Sequence, residues 1–247
     1  MEKMTGIMAG WLIMSATEAK KDYGFVVENG KIVEIVPNEK LLGKEGVIDA
    51  RDSIVCPTFT NTHTHFYETL AHGATEPNLS LKPLLEDFWW PVVENRQTLE
   101  TIRISTEYSA LESMTSGVTL CNDILEAPFA ERGKRLLTEE AVIRKAGMKA
   151  VLSLESNERI STENGYENLE ENKNFILKMR ETGNRDIRGT ICTHTTFSCS
   201  TPFLMKAAGM ARDMDEYIQI HMNEGPDEDK CCVDKYGMTT AELYKKI

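Results

Sequence analysis

Only five of the 247 residues are histidine, and the chain holds neither a C-x-x-C pair nor an H-E-x-x-H helix. The missing cysteine pairs exclude a structural zinc finger and a thioredoxin-type redox motif. The six cysteines, Cys56, Cys121, Cys192, Cys199, Cys231 and Cys232, include an adjacent pair that suits a disulfide framework badly. They read as reduced thiols, which predicts a cytoplasmic protein. There is no H-x-E followed by P-C-x-x-C, the signature of small zinc nucleobase deaminases, and no glycine-rich phosphate loop. No run of Lys or Arg exceeds two residues and the net charge is −11, so neither nucleic acid nor a membrane surface is an expected partner. A small-molecule substrate, or another protein chain, is expected instead. One apolar run, residues 6–14 (GIMAGWLIM), resembles a signal-peptide core but is far too short to span a bilayer. Its flanks carry acid as well as base, and it is expected to be a buried first strand.

Hydrophobic residues make up 41% and charged residues 27%, the balance of a soluble globular protein, and 247 residues allow one large domain or two modest ones. The first fifty-odd residues read as a small β module. Residues 23–36 (YGFVVENGKIVEIV) form two β-rich runs about Asn29-Gly30, a strong hairpin signal. Residues 46–50 and 53–56 continue the short strands. After Pro57 the pattern alternates. Helix is predicted over 84–116, 130–146, 168–182, 202–214 and from 240, and strand over 117–123, 148–154, 187–194 and 217–221. In the 168–182 helix, Phe175, Ile176 and Met179 share one face. Five strands, near residues 58, 118, 150, 190 and 219, predict five parallel βα units. In such folds the chemistry lies just past the strand ends.

That is where the histidines fall. His63 and His65 are two apart, so on a strand they point to the same face. Two imidazoles side by side can grip one metal ion, or be ordinary polar residues at a strand end. With His194 and His221, four of the five histidines close predicted strands, and that coincidence weighs against four separate core imidazoles. Glu224 follows His221 by three residues. A carboxylate there can take a proton from a metal-activated water and pass it to a leaving group, although in so acidic a chain it can equally be a loop acid. His72 reads as a surface or pocket-lining residue, and Glu68 as either reaching the site or facing solvent. Trp89 and Trp90 line a pocket or fill core. Cys199 lies five residues after His194 with no third residue to orient a nucleophilic pair.

Three stretches together resemble a known family: Cys56-Pro-Thr-Phe-Thr-Asn-Thr-His-Thr-His65, Thr193-His-Thr-Thr-Phe-Ser-Cys-Ser200 and Ile220-His-Met-Asn-Glu224. They resemble the amidohydrolase superfamily, and within it the chlorohydrolase and aminohydrolase branch that includes guanine and adenosyl-type deaminases. The β module and its Val47-Ile-Asp-Ala50 lead-in resemble that branch too. The resemblance implies an α/β fold, a distorted (β/α)8 TIM-type barrel with a β-sandwich built from both ends of the chain. Residues 1–56 would be the N-terminal part of the sandwich and 57–247 the first five βα units. It implies that His63, His65 and His221 hold one divalent metal, zinc first and iron second, with Glu224 as proton shuttle. His194 would sit beside the substrate, and Glu68 and Trp89 are the further candidate substrate contacts. The implied reaction is attack of metal-bound hydroxide on an sp² carbon of an amino-substituted heterocycle, with release of ammonia. Hydrolytic dechlorination and cyclic amide hydrolysis are the related chemistries.

Two departures from the family pattern stand out. Pro57-Thr58 replaces the usual Pro-Gly, which removes a permissive backbone position. The pattern also implies three more βα units, with a sixth-strand histidine and an eighth-strand aspartate that completes the metal site, and no Asp here matches that ligand. The expectation is that a second chain supplies the remaining strands or that the sequence is a fragment. The alternative is a non-catalytic remnant or interaction subunit. Open strand edges invite association, so a homo-oligomer is expected.

Overall fold

The apolar run at residues 6–14 becomes β1 (Gly6–Ser15) in the computed structural model, which describes residues 5–74 and 78–247. β1 pairs antiparallel with β2 (Glu18–Lys21) and β3 (Tyr23–Glu28), and β3 pairs antiparallel with β4 (Lys31–Pro37). The hairpin between β3 and β4 turns at Asn29 and Gly30, whose φ angles of 51° and 75° are the left-handed pair a two-residue type I′ turn requires. β5 (Val47–Val55) lies parallel to β1. Met8, Val36 and Leu41 form the small core of this unit. Asn38 clamps it by donating from Nδ2 to the Ala9 carbonyl at 2.8 Å. The chain divides into two compact units, Met1–Thr58 and Phe59–Ile247.

In the second unit β6 (Phe59–Thr64), β7 (Val118–Leu125), β8 (Lys149–Leu154) and β9 (Ile187–Gly189) run parallel in chain order. β10 (Ile191–Thr193) pairs in parallel with β11 (Ile218–Ile220). β9 and β10 are the single strand expected over 187–194, interrupted at Thr190. That residue faces two partners: its N–H reaches the Leu152 carbonyl at 3.2 Å and its hydroxyl the Tyr217 carbonyl at 2.7 Å. Five parallel segments, each followed by helix, are the five expected βα units of a barrel-type fold.

The helices depart from expectation where capping chemistry outweighs periodicity. The expected helix over 84–116 is three pieces and two turns: α1 (Leu81–Leu84), a π-helical turn over Leu85–Trp89, α2 (Trp90–Val92), a 3₁₀ turn over Glu94–Arg96 and α3 (Leu99–Thr115). Thr98 starts α3 afresh with a capping box to Thr101. α4 (Arg135–Ala146) begins five residues later than expected and ends on the left-handed Gly147. α5 (Thr162–Glu181) begins six residues earlier, because Ser161 accepts the Asn164 N–H at 3.1 Å and caps it there. α6 (Thr201–Asp213) and α8 (Thr240–Lys246) follow the expected spans closely. α7 (Pro226–Tyr236) was not expected at all. Among the described residues no helix is long and apolar enough to cross a membrane.

Two apolar clusters hold the strands to the helices. Ile102, Cys121, Leu136, Ile143, Leu152 and Phe175 belong to the larger, and Leu169, Ile191, Phe203 and Leu204 to the smaller. Asn172 bridges α5 to the end of β8. Its Oδ1 accepts the Leu154 N–H and its Nδ2 donates to the Leu154 carbonyl, both at 2.7 Å. Asn172→Ala would strand both backbone groups in a fully buried place. We expect a loss of about 1–3 kcal/mol in urea unfolding.

Candidate metal and proton-transfer site

The β6 strand ends at Thr64, so His63 and His65 leave it on one face. His65 Nδ1 lies 2.9 Å from the Ile124 carbonyl of β7. A carbonyl only accepts, so Nδ1 carries a proton and the ring turns Nε2 toward the centre of the site. Nε2 faces His221 Nε2, 3.3 Å away, at the end of β11. His63 stands edge-on to both rings, with centroids 5.0 Å from each. Burial, followed by the charges of His65 and His63, pushes the His221 pKa down to about 3. Partial burial and then His65 lower that of His63. His63 and His221 are therefore neutral at pH 7, which is the state that binds metal. The ligand atoms of all three lie within 4.8 Å of one another. Three imidazoles that meet at one point, one with its Nδ1 fixed on a backbone carbonyl, fit a divalent ion of the zinc class.

His194, just past β10, is almost fully buried. Ser198 and Thr195 hold its Nδ1 at 2.7 and 3.1 Å. Its Nε2 faces Glu224 Oε2 at 3.6 Å and Glu155 Oε1 at 4.0 Å. Burial above all, then the charges of His221, Arg159 and His65, keeps this imidazole well below its ordinary pKa. Glu224 is the opposite case. Partial burial, then Glu228 and Glu68, raises its carboxyl to about 7. A carboxyl that gains and loses its proton near neutrality is suited to carry one.

Glu68 and Trp89 line a cavity of about 660 Å³ together with His63, His65 and His72. Trp90 is elsewhere: its ring lies over the Arg159 guanidinium at 5.2 Å and edge-on to His194 at 6.3 Å. Cys199 is buried, and burial drives its thiol upward, away from the thiolate a nucleophile needs.

Glu155 was not anticipated. It lies one residue past β8, and its Oε2 is 3.6 Å from His221 Nδ1, a nitrogen with no hydrogen-bond partner among the described residues. Asn157 donates to its other oxygen at 3.0 Å. Glu155, His194 and His221 make a second close group of potential donors. Behind them Arg159 donates to Glu94 at 2.9 Å, Glu126 at 2.8 Å and Asn95 at 2.8 Å, and Tyr67 donates to Glu94 at 3.0 Å. The rule that found the histidines, position just past a strand end, also points to Glu155. The same rule points to Glu126, one residue past β7, whereas Glu94 had no such signal to separate it from many other acids.

The sequence model of the Amidohydrolase family matches residues 54–246. The chain belongs to the amidohydrolase family. Among curated amidohydrolase relatives, it is 29% identical to a 5'-deoxyadenosine deaminase of Methanocaldococcus jannaschii, over 88% of this chain and 50% of that protein. It is 30% identical to a 5-methylthioadenosine/S-adenosylhomocysteine deaminase of Caldicellulosiruptor saccharolyticus, over 90% of this chain and 49% of the other. The chain spans about half the length of the curated relatives it matches. Its fold is similar to that of an adenosine deaminase from Xanthomonas campestris with bound zinc, at a TM-score of 0.83 and 20% identity over 97% of this chain and 54% of that one. A guanine deaminase from C. acetobutylicum is similar at a TM-score of 0.82 and 18% identity, over 99% of this chain and 59% of that one.

Proposed function

We propose that this amidohydrolase chain is part of a metal-dependent aminohydrolase that removes the amino group of an amino-substituted heterocycle, of the adenosine class first. The observation that carries the reading is the meeting of His63, His65 and His221 beside the facing pair His194 and Glu224. His63, His65 and His221 would hold one divalent ion, zinc first, and when bound it supplies a Lewis acid that brings a water's pKa toward neutrality. The amino acids do the rest. Glu224 takes a proton from the attacking water and delivers it to the amino nitrogen as the C–N bond breaks, so that one water is consumed and ammonia leaves. His194, held on Nδ1 by Ser198 and Thr195, presents Nε2 to the reacting centre. Glu68 and Trp89, on the wall of the cavity beside the histidines, would contact the substrate.

The deaminase relatives are about twice as long as this chain, which supports a remaining part that comes from further polypeptide or a second chain. β6 and β11 each have a single strand partner among the described residues, and such edges also suit self-association. The six free thiols support a cytoplasmic location.

Elemental analysis of the chain beside His63→Ala and His221→Ala tests the metal site. About one zinc or iron per chain is expected in the wild type and less than about a tenth of that in either variant. A panel of adenosine-type nucleosides, guanine, chlorotriazines and cyclic amides then tests the chemistry, with ammonia from the nucleosides as the expected result. Metal held equally by all three proteins would reject the ligand set. Product from the chlorotriazines or cyclic amides alone would replace the deaminase reading with the related hydrolysis.

A further inference from the structure

Glu228 is fully buried in the first turn of α7, outside the ligand set. Its Oε1 accepts the Thr196 N–H at 2.9 Å and the Thr196 hydroxyl at 3.1 Å, and its Oε2 accepts the Glu224 N–H at 3.3 Å. Thr196 belongs to the loop after β10, which carries His194. Glu224 belongs to the loop after β11. One carboxyl thus ties together the two loops whose side chains face each other at 3.6 Å. A glutamate at the third helical position ordinarily reaches back to its own N-cap N–H. The N-cap here is Gly225, yet Glu228 bonds to the residue before it and to a separate loop.

We propose that Glu228 is a positioning residue for Glu224: it fixes the Glu224 backbone against the His194 loop and sets a second negative charge beside the Glu224 carboxyl. The inference rests on the reading of Glu224 as the proton carrier. The groups that act on Glu224 are consistent with it. After burial, Glu228 is the larger of the two acids that raise its proton affinity, ahead of Glu68, and His194 faces it as a neutral imidazole. If Glu228 were only a helix cap, it would stabilise α7 and leave the titration of Glu224 where it is.

Glu228→Gln separates the two roles. The glutamine oxygen can still accept from Thr196, but its amide has nothing to offer the Glu224 N–H, and the charge is gone. Carboxyl ¹³C NMR of the chain follows the Glu224 midpoint, and amide hydrogen exchange follows the two backbone bonds. In Glu228→Gln the midpoint should fall by about one pH unit, and the Glu224 amide should exchange about tenfold faster while Thr196 stays protected. Glu228→Asp keeps the charge on a shorter stem. There the amide exchanges faster and the midpoint moves by less than about half a unit. An unchanged midpoint and unchanged Glu224 exchange in Glu228→Gln would overturn the proposal. Should that variant fail to fold by circular dichroism, unchanged exchange in Glu228→Asp would do so. Neither readout needs metal or turnover, so a wild type without zinc or ammonia release would reject the hydrolase reading while this coupling is still measured.

Discussion

On the proposed aminohydrolase reading, Glu224→Gln is expected to slow ammonia release by about 10²–10⁴-fold with metal content unchanged. The substitution preserves the shape of the side chain and its place beside His194 Nε2. What it removes is the capacity to gain and lose a proton. Glu224 is outside the three-histidine set, so elemental analysis should match the wild type within error. The pH profile gives the second signature. A proton acceptor works in its ionised form, and the wild-type carboxyl titrates at about 7, so kcat/KM should rise with pH through that value. The variant should lose this acidic limb. A variant that keeps its full rate would assign the proton transfer to another group, and His194 at 3.6 Å is the nearest candidate.

The elements that could be read from sequence were those whose signal is local. His63 and His65 declared themselves through the two-residue period of a strand, and Asn29-Gly30 through the left-handed turn that only such residues enter cheaply. His194 and His221 could be placed at the same end because each closes a predicted strand. The interruption at Thr190 had no local signal, since it depends on which carbonyls, Leu152 and Tyr217, stand on either side. α7 was missed because its sequence, PDEDKCCVDKY, is mostly charged and shows little apolar periodicity. Its punctuation was nonetheless present: Gly225-Pro226 at the start and Gly237, left-handed at 67°, at the end. The meeting of Glu94, Glu126 and Arg159 was illegible for a different reason. They lie on three separate segments, and nothing in an acidic chain marks which glutamates will be buried together.

Their burial leads to the largest expected effect on stability. Arg159→Met should cost about 3–5 kcal/mol near pH 8, because it leaves Glu94 and Glu126 enclosed without their shared cation. One Glu126 oxygen already lacks a hydrogen-bond partner among the described residues, so the loss of Arg159 adds to an existing deficit. The pH dependence identifies the cause. Burial raises the proton affinity of both carboxyls, most of all Glu94, and Arg159 works against that rise. A carboxyl with a raised folded-state pKa binds its proton more tightly in the folded chain. The stability this gives is complete below the unfolded value of about 4.3 and is lost as pH climbs through the folded value. Without Arg159 the folded values rise further, so the deficit against wild type should be smaller at pH 5 than at pH 8. Urea unfolding followed by circular dichroism at the two pH values measures it. A deficit that is the same at both would assign the loss to packing of the guanidinium on Trp90 rather than to charge. The same argument predicts strong non-additivity: in a Glu94→Gln/Glu126→Gln background, where both acids bonded to Arg159 are gone, Arg159→Met should cost much less than in the wild type.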